Sequence, residues 1–392
     1  MTPHEPVPDI VIDESTPAST QKPRQLLAPH KHFVRFWRYW LKLNRNERFA
    51  ILAVLLLLFG TASLAWYYFV RTSANTIISP SIITHKPPQA PLTVASPLTG
   101  LQVSPSRAKR PVTGVMIENS IAARPQSGLQ AAGVVYEAIA EGGITRFLAL
   151  FQEAAPQYIG PVRSVRPYFI DLAAPYQASI VHVGGSPDAL RIIRNGSYRD
   201  LDQFFNSGFF TRIGSRPAPH NVYSSFARLD RLNKSKHYTS SLFTSWPRKA
   251  DSKIKTPTAK SIDLKISGPL YFIHYAYDRA SNTYFRSEGG QPHLDLVSSK
   301  DKKGVRLHPK VVIALVMSYG LAADHHHSVY GDVGSGRAYI FQDGEVTIGT
   351  WSKSGTRSPL SLANSKGAPI KLNTGQTWVT LVGSSSQVSY SH

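Results

Sequence analysis

The side chains best suited to chemistry crowd between Glu141 and Arg166. Two stretches there, EGGITRF and GPVRSVRPYF, hold Arg146, Arg163 and Arg166. A strand–helix junction, Gly184-Gly185-Ser186, follows shortly after. Guanidinium forks beside the free N–H groups of a helix start make a site for phosphate or carboxylate. The same arginines fit structural ion pairs with Glu137, Glu141 and Asp171, and the glycines fit a simple turn. Glu137 and Glu141 stand four apart. They would divide acid and base roles only if one strand kept both on one face. His182 and His220 are the other acid/base candidates, His182 within an apolar strand and His220 in the ordered turn Ala218-Pro219-His220-Asn221. A lone strand histidine equally suits a satisfied core.

Metal chemistry is poorly supported. His293 and Asp295 share a strand face at i, i+2, yet there is no HExxH. Asp324-His325-His326-His327 is a run whose side chains point in different directions, which suits an exposed loop. GxSxG and Walker A motifs do not occur in usable context. No metal and no cofactor is expected, and the catalytic residues stay unassigned beyond Glu141, His182 and His220.

The elements that must hold these groups read as follows. Val112–Glu118 is a strand. Val134–Ala140 and Ile144–Gln152 form a hairpin over Glu141-Gly142-Gly143. Ser164–Tyr176 is a helix with Pro167 in its first turn. Ile180–Val183 is a buried strand, and Ser186, Pro187 and Asp188 suit the N-cap, N1 and dipole positions of the next helix. A further helix starts at Ser224 or Ser225. Residues 244–260 look like a linker. Beyond them come strands at Tyr271–Tyr277, Thr283–Arg286, Val311–Met317, Arg337–Gln342, Val346–Trp351 and Thr377–Val382. Gly334-Ser335-Gly336 reads as a turn into the hairpin over Asp343-Gly344.

The whole chain has 392 residues, 42% hydrophobic and 17% charged, so its bulk is globular. Lys+Arg outnumber Asp+Glu by 44 to 24. That surplus favours anionic partners: phosphate polymers, acidic glycans, lipid headgroups or nucleic acid. With no cysteine, disulfides, thiolate metal sites and a lipid-modified cysteine are excluded. No charge lies between Arg48 and Arg71. At ~1.5 Å per residue that run spans a hydrocarbon core of about 30 Å. Basic and aromatic residues precede it, including Phe36, Trp37, Arg38, Tyr39 and Trp40 in an amphipathic, interfacial pattern, and Trp66, Tyr67 and Tyr68 would form an outer belt. The charge bias predicts an uncleaved anchor with a cytoplasmic N-terminus.

The stretches PLTGL (97–101), MIENS (116–120), ARPQSGL (123–129), VVYEAIAEGGITRF (134–147), GPVRSVRPYF (160–169), HVGGSP (182–187) and APHN (218–221) resemble the YerB-like family of bacterial extracytoplasmic proteins. GSGRAYIFQDG (334–344) and LNTGQTWV (372–379) resemble that family's C-terminal part. The resemblance implies a two-part fold, an envelope location and a role in cell-wall or sporulation biology. It carries no catalytic residues with it. Family members are typically lipoproteins, whereas here a membrane helix replaces the lipid.

The combined expectation is an α+β protein: a disordered cytoplasmic tail (1–30), a basic juxtamembrane segment (31–48), one transmembrane helix (49–70) and a Pro/Ser/Thr-rich stalk (71–96). A mixed N-terminal subdomain (97–243), a linker (244–260), a β-rich C-terminal subdomain (261–382) and a tail (383–392) follow. The expected role is a non-enzymatic one at the envelope. Arg146, Arg163, Arg166 and Gly184–Ser186 would bind an anionic wall polymer or peptidoglycan, or the protein would scaffold wall assembly through other envelope proteins. Nucleic acid is not an expected partner. The alternative is an envelope hydrolase or transferase acting on glycan or phosphodiester linkages.

Overall fold

The computed structural model describes residues 37–73 and 92–391. The expected tail 1–30, residues 31–36 and the stalk from 74 to 91 lie outside the described residues. The chain divides into two compact units, Met1–Pro88 and Gln89–His392.

In the first unit, residues 37–40 make one helical turn, and helix α1 (Arg45–Ser73) follows after a break. The basic aromatic stretch ending at residue 42 is therefore helical only over residues 37–40 among the described residues. Asn44 and Glu47 exchange side chain–backbone bonds at 2.9 and 3.0 Å, a capping box that fixes the start of α1. Its Arg45–Thr72 stretch is the one helix among the described residues long and apolar enough to cross a membrane. At ~1.5 Å per residue it spans about 42 Å.

The second unit is built on a ten-stranded mixed sheet. Its strands are β1 (Thr113–Glu118), β2 (Val134–Glu141), β3 (Ile144–Phe151), β4 (Ser179–His182) and β5 (Arg199–Asp202) from the first half of the unit. A second, five-stranded sheet contains β6 (Ser261–Leu264), β7 (Ile273–Asp278), β8 (Thr283–Glu288) and β9 (Gln291–Pro292). The large sheet then gains β10 (Val311–Val316), β11 (Gly334–Gln342), β12 (Glu345–Lys353), β13 (Ser361–Ala363) and β14 (Thr377–Val382), and β15 (Val388–Ser391) returns to the small one. The orders are β13-β12-β11-β10-β14-β2-β3-β1-β4-β5 and β9-β8-β7-β6-β15.

Alternating side chains of the large sheet feed two cores, which is why its strands are apolar on both faces. Val134, Tyr136, Ala138, Leu148 and Leu150 pack under helices α2 (Pro167–Ala173) and α3 (Pro187–Asn195). Val115, Val135, Phe147, Ala149 and Trp378 face helix α4 (Phe226–Ser235) and the small sheet. The α+β class holds. Ser186 caps α3 by accepting from Ala189 N, with Pro187 in its first turn, as its sequence requires.

Three local expectations need correction. Residues 244–260 are not a free linker: Arg248 and Lys249 pair in parallel with Leu372 and Asn373, and Lys249 is tied to Asp343. Residues 383–392 are not a tail, because Val388–Ser391 pair antiparallel with Ser261–Leu264. Gly334–Gly336 lie within β11 rather than in a turn. Gly336 is needed there because a Cβ would meet Val316 O at 2.5 Å. The largest consequence is that β14 inserts beside β2, joined in parallel from Thr377↔Val134 to Thr380↔Glu137. Both halves of the unit therefore share one sheet.

A bulge interrupts β2: Ile139 faces Thr145 while Glu141 faces Ile144, leaving Ala140 extra. Two tyrosine hydroxyls satisfy the backbone it frees. Tyr330 Oη accepts from Ile139 N (3.0 Å), and Tyr168 Oη donates to Ile139 O (2.6 Å). Replacing Tyr330 with Phe strands the buried Ile139 N–H. Urea denaturation is expected to show a loss of about 1–3 kcal/mol, whereas Tyr319→Phe, at an exposed ring, stays within about 0.5 kcal/mol.

Candidate functional site

Strands β1, β2 and β4 run parallel to one another, and their C-terminal ends bring Glu118, Glu141 and His182 to one rim of the sheet. Ligand sites in α/β sheets favour that rim. The segment Pro161–Val165 crosses it: Arg163 N donates to Met116 O, Val183 N to Arg163 O, and Val165 N to Gly184 O. This lattice sets Arg163 and Arg166 alongside the Gly184–Ser186 helix start.

The three arginines separate into two groups. Arg146 and Arg166 converge on Glu141 at 2.6 and 2.5 Å, both almost fully buried. Burial works to raise the Glu141 carboxyl, but the two guanidiniums outweigh it and hold it at about 2. The bulge puts Glu141 on the face opposite Glu137, so the two carboxylates do not form a catalytic pair. Arg163 goes elsewhere: its Nε lies 3.5 Å from Glu118, and its side chain is 27% exposed.

Glu118 is the hub of the open cluster. One oxygen accepts from Ser120 Oγ (3.0 Å), and the other meets His220 Nδ1 (3.0 Å). Arg163 and His220, two of the residues expected at the site, thus share one nearly buried carboxylate. Arg216 braces the neighbouring loop through Ala122 O and Pro125 O, and Arg212 holds Asn221. His182 is fully buried, its nitrogens facing Gly184 O (2.7 Å) and Asp200 (2.9 Å). It is a satisfied core group and does not join His220. Gly184 is held by Asp202, and its positive φ of 61° suits the turn into α3.

A second polar system lies deeper and joins the two halves of the unit. Arg286 and Glu137, both at 0% exposure, pair at 3.0 Å. Arg286 also donates to His293 Nδ1 (2.8 Å) and Tyr275 Oη (2.9 Å), and its guanidinium lies 4.6 Å from the Trp378 ring centre. Trp378 Nε1 donates to Glu137 (3.0 Å). Burial disfavours the Arg286 cation, yet Glu137 keeps it above its ordinary range. Glu288 accepts from Asn119 (2.7 Å) and sits 3.1 Å from Arg124. Burial, its largest influence, pushes the Glu288 carboxyl up to about 7 despite both arginines. His293 donates to Gln126 Oε1 and is kept neutral, first by burial and then by Arg286 and Arg124. Asp295 accepts from the Leu129 and Gln130 N–H groups. His293 and Asp295 therefore serve as internal braces. No group of three metal-ligating side chains occurs among the described residues. Asp324–His327 form an exposed turn closed by Asp324 and His327. Reasoning from spacing missed Glu118, Asn119, Arg124, Arg286 and Glu288. For Glu118, Asn119 and Arg124 the MIENS and ARPQ stretches were the available signal, polar residues just after an apolar strand.

This mixed sheet, with a charged rim and a polar seam between its halves, defines the class. Two models of one family match the chain: the N-terminal domain of the protein of unknown function DUF3048 over residues 98–239, and its C-terminal domain over residues 262–379. The chain belongs to that family. It is 29% identical over 306 residues to a Bacillus subtilis protein named "Putative lipoprotein YerB", covering 75% of this chain and 88% of that one. The crystal structure of Bacillus subtilis YerB superposes with a TM-score of 0.68 at 27% identity, over 76% of this chain and all of that one.

Glu141→Gln removes the carboxylate that joins Arg146 to Arg166. The folded-state value near 2 lies below the unfolded value near 4.5. Its contribution is therefore present above pH 4.5 and is lost as pH falls toward 2. Denaturation at pH 7 should show a loss of about 3 kcal/mol, and the variant's stability should change less than the wild type's between pH 4.5 and 2.

Proposed function

We propose that this chain is a single-pass envelope protein. In this reading α1 anchors it with the N-terminus in the cytoplasm. The Gln89–His392 unit works outside, binding an anionic envelope polymer. Support for the location comes from the length and apolarity of α1 and from the lipoprotein description of its relative. The anchor takes the place of a lipid that a chain without cysteine cannot carry. The observation carrying the binding role is the Glu118 cluster. Arg163 Nε lies 3.5 Å from Glu118 and makes no hydrogen bond, so the guanidinium is held there by charge alone. His220 Nε2 is open beside it, and Arg212 and Arg216 border the same loop. A fork plus an imidazole on a buried carboxylate suits a phosphate or carboxylate group of the polymer. Arg146 and Arg166 contribute one net positive charge behind that site rather than direct contacts.

The test is retention of the full-length protein, in detergent, on an immobilised polyol-phosphate polymer. Arg163→Ala is expected to weaken retention roughly tenfold, as loss of a charge-assisted bond does, and to flatten its salt dependence. Thermal melting checks that the variant is folded. Unchanged retention by folded Arg163→Ala and His220→Ala proteins rejects the reading.

The Glu118–His220 pair favours one second reading, an envelope hydrolase or transferase acting on glycan or phosphodiester linkages. Glu118 orients Nδ1 and leaves Nε2 as the base. Glu141 and His182 are engaged elsewhere and take no part. Incubation with cell-wall fragments should then change their masses for wild type and not for His220→Ala; no change with wild type removes this reading.

A further inference from the structure

Lys249, Asp343 and Asn373 meet beside the turn between β11 and β12, apart from the Glu118 cluster and unused by the polymer-binding role. The pairing of Arg248 and Lys249 with Leu372 and Asn373 sets Lys249 directly beside Asn373. Backbone bonds clamp that register: Leu372 N donates to Pro247 O (2.9 Å) and Thr374 N to Lys249 O (3.2 Å). Neighbours in register on paired strands turn their side chains to the same face, so the amine and the amide meet.

Lys249 Nζ donates to Asn373 Oδ1 (2.6 Å) and to Asp343 Oδ2. Asn373 Nδ2 donates to Asp343 Oδ1 (2.8 Å). The cycle is closed: amine on amide carbonyl, amide nitrogen on carboxylate, carboxylate on amine. Asn282 Nδ2 and Ser252 N also donate to Asp343 Oδ1, at 2.8 and 3.0 Å, and fix it in place. Asn373 is fully buried and Asp343 nearly so, while the Lys249 side chain keeps 29% exposure. A simple ion pair needs only the lysine and the aspartate. Here the amine also lies against an amide carbonyl, and one carboxylate touches both nitrogens. That is the arrangement of an acyl transfer: nucleophile, electrophile and a proton carrier between them.

We propose that Lys249 and Asn373 join through an isopeptide bond, with Asp343 carrying the protons. Lys249 starts as the ammonium. Asp343 Oδ2 takes one proton, and the freed Nζ lone pair forms a bond to Asn373 Cγ while the carbonyl electrons move onto Oδ1. The electrons return, the Cγ–Nδ2 bond breaks, and Nδ2 leaves. In all, two protons pass from Nζ to Nδ2 through the carboxylate. The leaving group is ammonium, Nζ keeps one hydrogen as a secondary amide, and Asp343 ends ionised as it began. The step needs no co-reactant.

Burial alone would raise the Asp343 carboxyl, but the bonds from Lys249, Asn282 and Asn373 outweigh it and hold it below its ordinary range. Taking a proton from an ammonium is therefore uphill, and the reaction is slow. The product stays in place, so a single turnover is enough, and the fixed register removes the entropy of bringing the two groups together. The new bond ties the segment ahead of β6 to the one leading into β14, a covalent clamp open to a chain without cysteine.

The test is mass spectrometry of the full-length protein, purified in detergent and then denatured. The intact mass is expected to fall short of the sequence mass by one ammonia. Trypsin is expected to release a branched peptide in which residues 249–253 hang from the peptide beginning at Leu372, joined through Lys249 and Asn373. Lys249→Arg keeps the cation without a primary amine, and should regain the full sequence mass and lose the branched peptide. Asp343→Asn, checked for folding by thermal melting, should carry at least about tenfold less of the branched peptide at equal times after synthesis. Absence of the branched peptide from the wild-type protein overturns the proposal, whatever the variants do. Undiminished branched peptide in Asp343→Asn overturns the role given to the carboxylate.

Discussion

The fully buried pair of Arg286 and Glu137 is the constraint on which the rest of the unit depends. A guanidinium removed from water is tolerable only if its donors are met and a counter-charge lies in contact. Glu137 on β2, His293, Tyr275 and the face of Trp378 provide this together. These residues come from separate parts of the chain, so the cation is satisfied only after both halves have docked. The seam is polar and specific where a simple apolar interface would permit sliding. Asn119, Gln126 and Asp295 extend it, each bonding across the same junction.

The rim chemistry follows from how the sheet treats its charges. Arginines on β3 and at the start of α2 are drawn inward and matched to Glu141, so they stiffen the rim. Arg163, between them in sequence, lies on the crossing segment and remains partly in solvent. Burial thus sorts three similar residues into two structural supports and one that stays partly exposed. Exposed charge at this rim is smaller than the composition suggests, and it is concentrated around Glu118 and the His220 loop.

Much of the local structure was legible because it is written in short-range chemistry. Ser186-Pro187-Asp188 marks a helix start, Gly142-Gly143 and Asp343-Gly344 mark hairpins, and the α+β class follows from the mixed periods. The failures were of long range. Period-two counting puts Glu137 and Glu141 on one face; the extra residue at Ala140 reverses the second. Residues 388–391 are short and polar, and only the waiting edge of β6 makes them a strand. Thr377–Val382 was recognisable as a strand, but nothing local says that it enters the middle of the sheet. For the site, Arg163 and His220 were both picked out by residue type. Their meeting at Glu118 was not legible, because His220 is joined to it across about a hundred residues. The buried Glu288 carried no sequence signal at all.

The position of β14 between β10 and β2 also governs the order in which the molecule can be made. Ribosomes deliver residues 134–141 long before residues 377–382. Until the latter emerge, β2 and β10 each present an unpaired backbone margin, the kind of surface on which nascent chains stick together. The emerging polypeptide must therefore be shielded until its final segment arrives, and a stop codon even a few dozen residues early would leave the large sheet split in two.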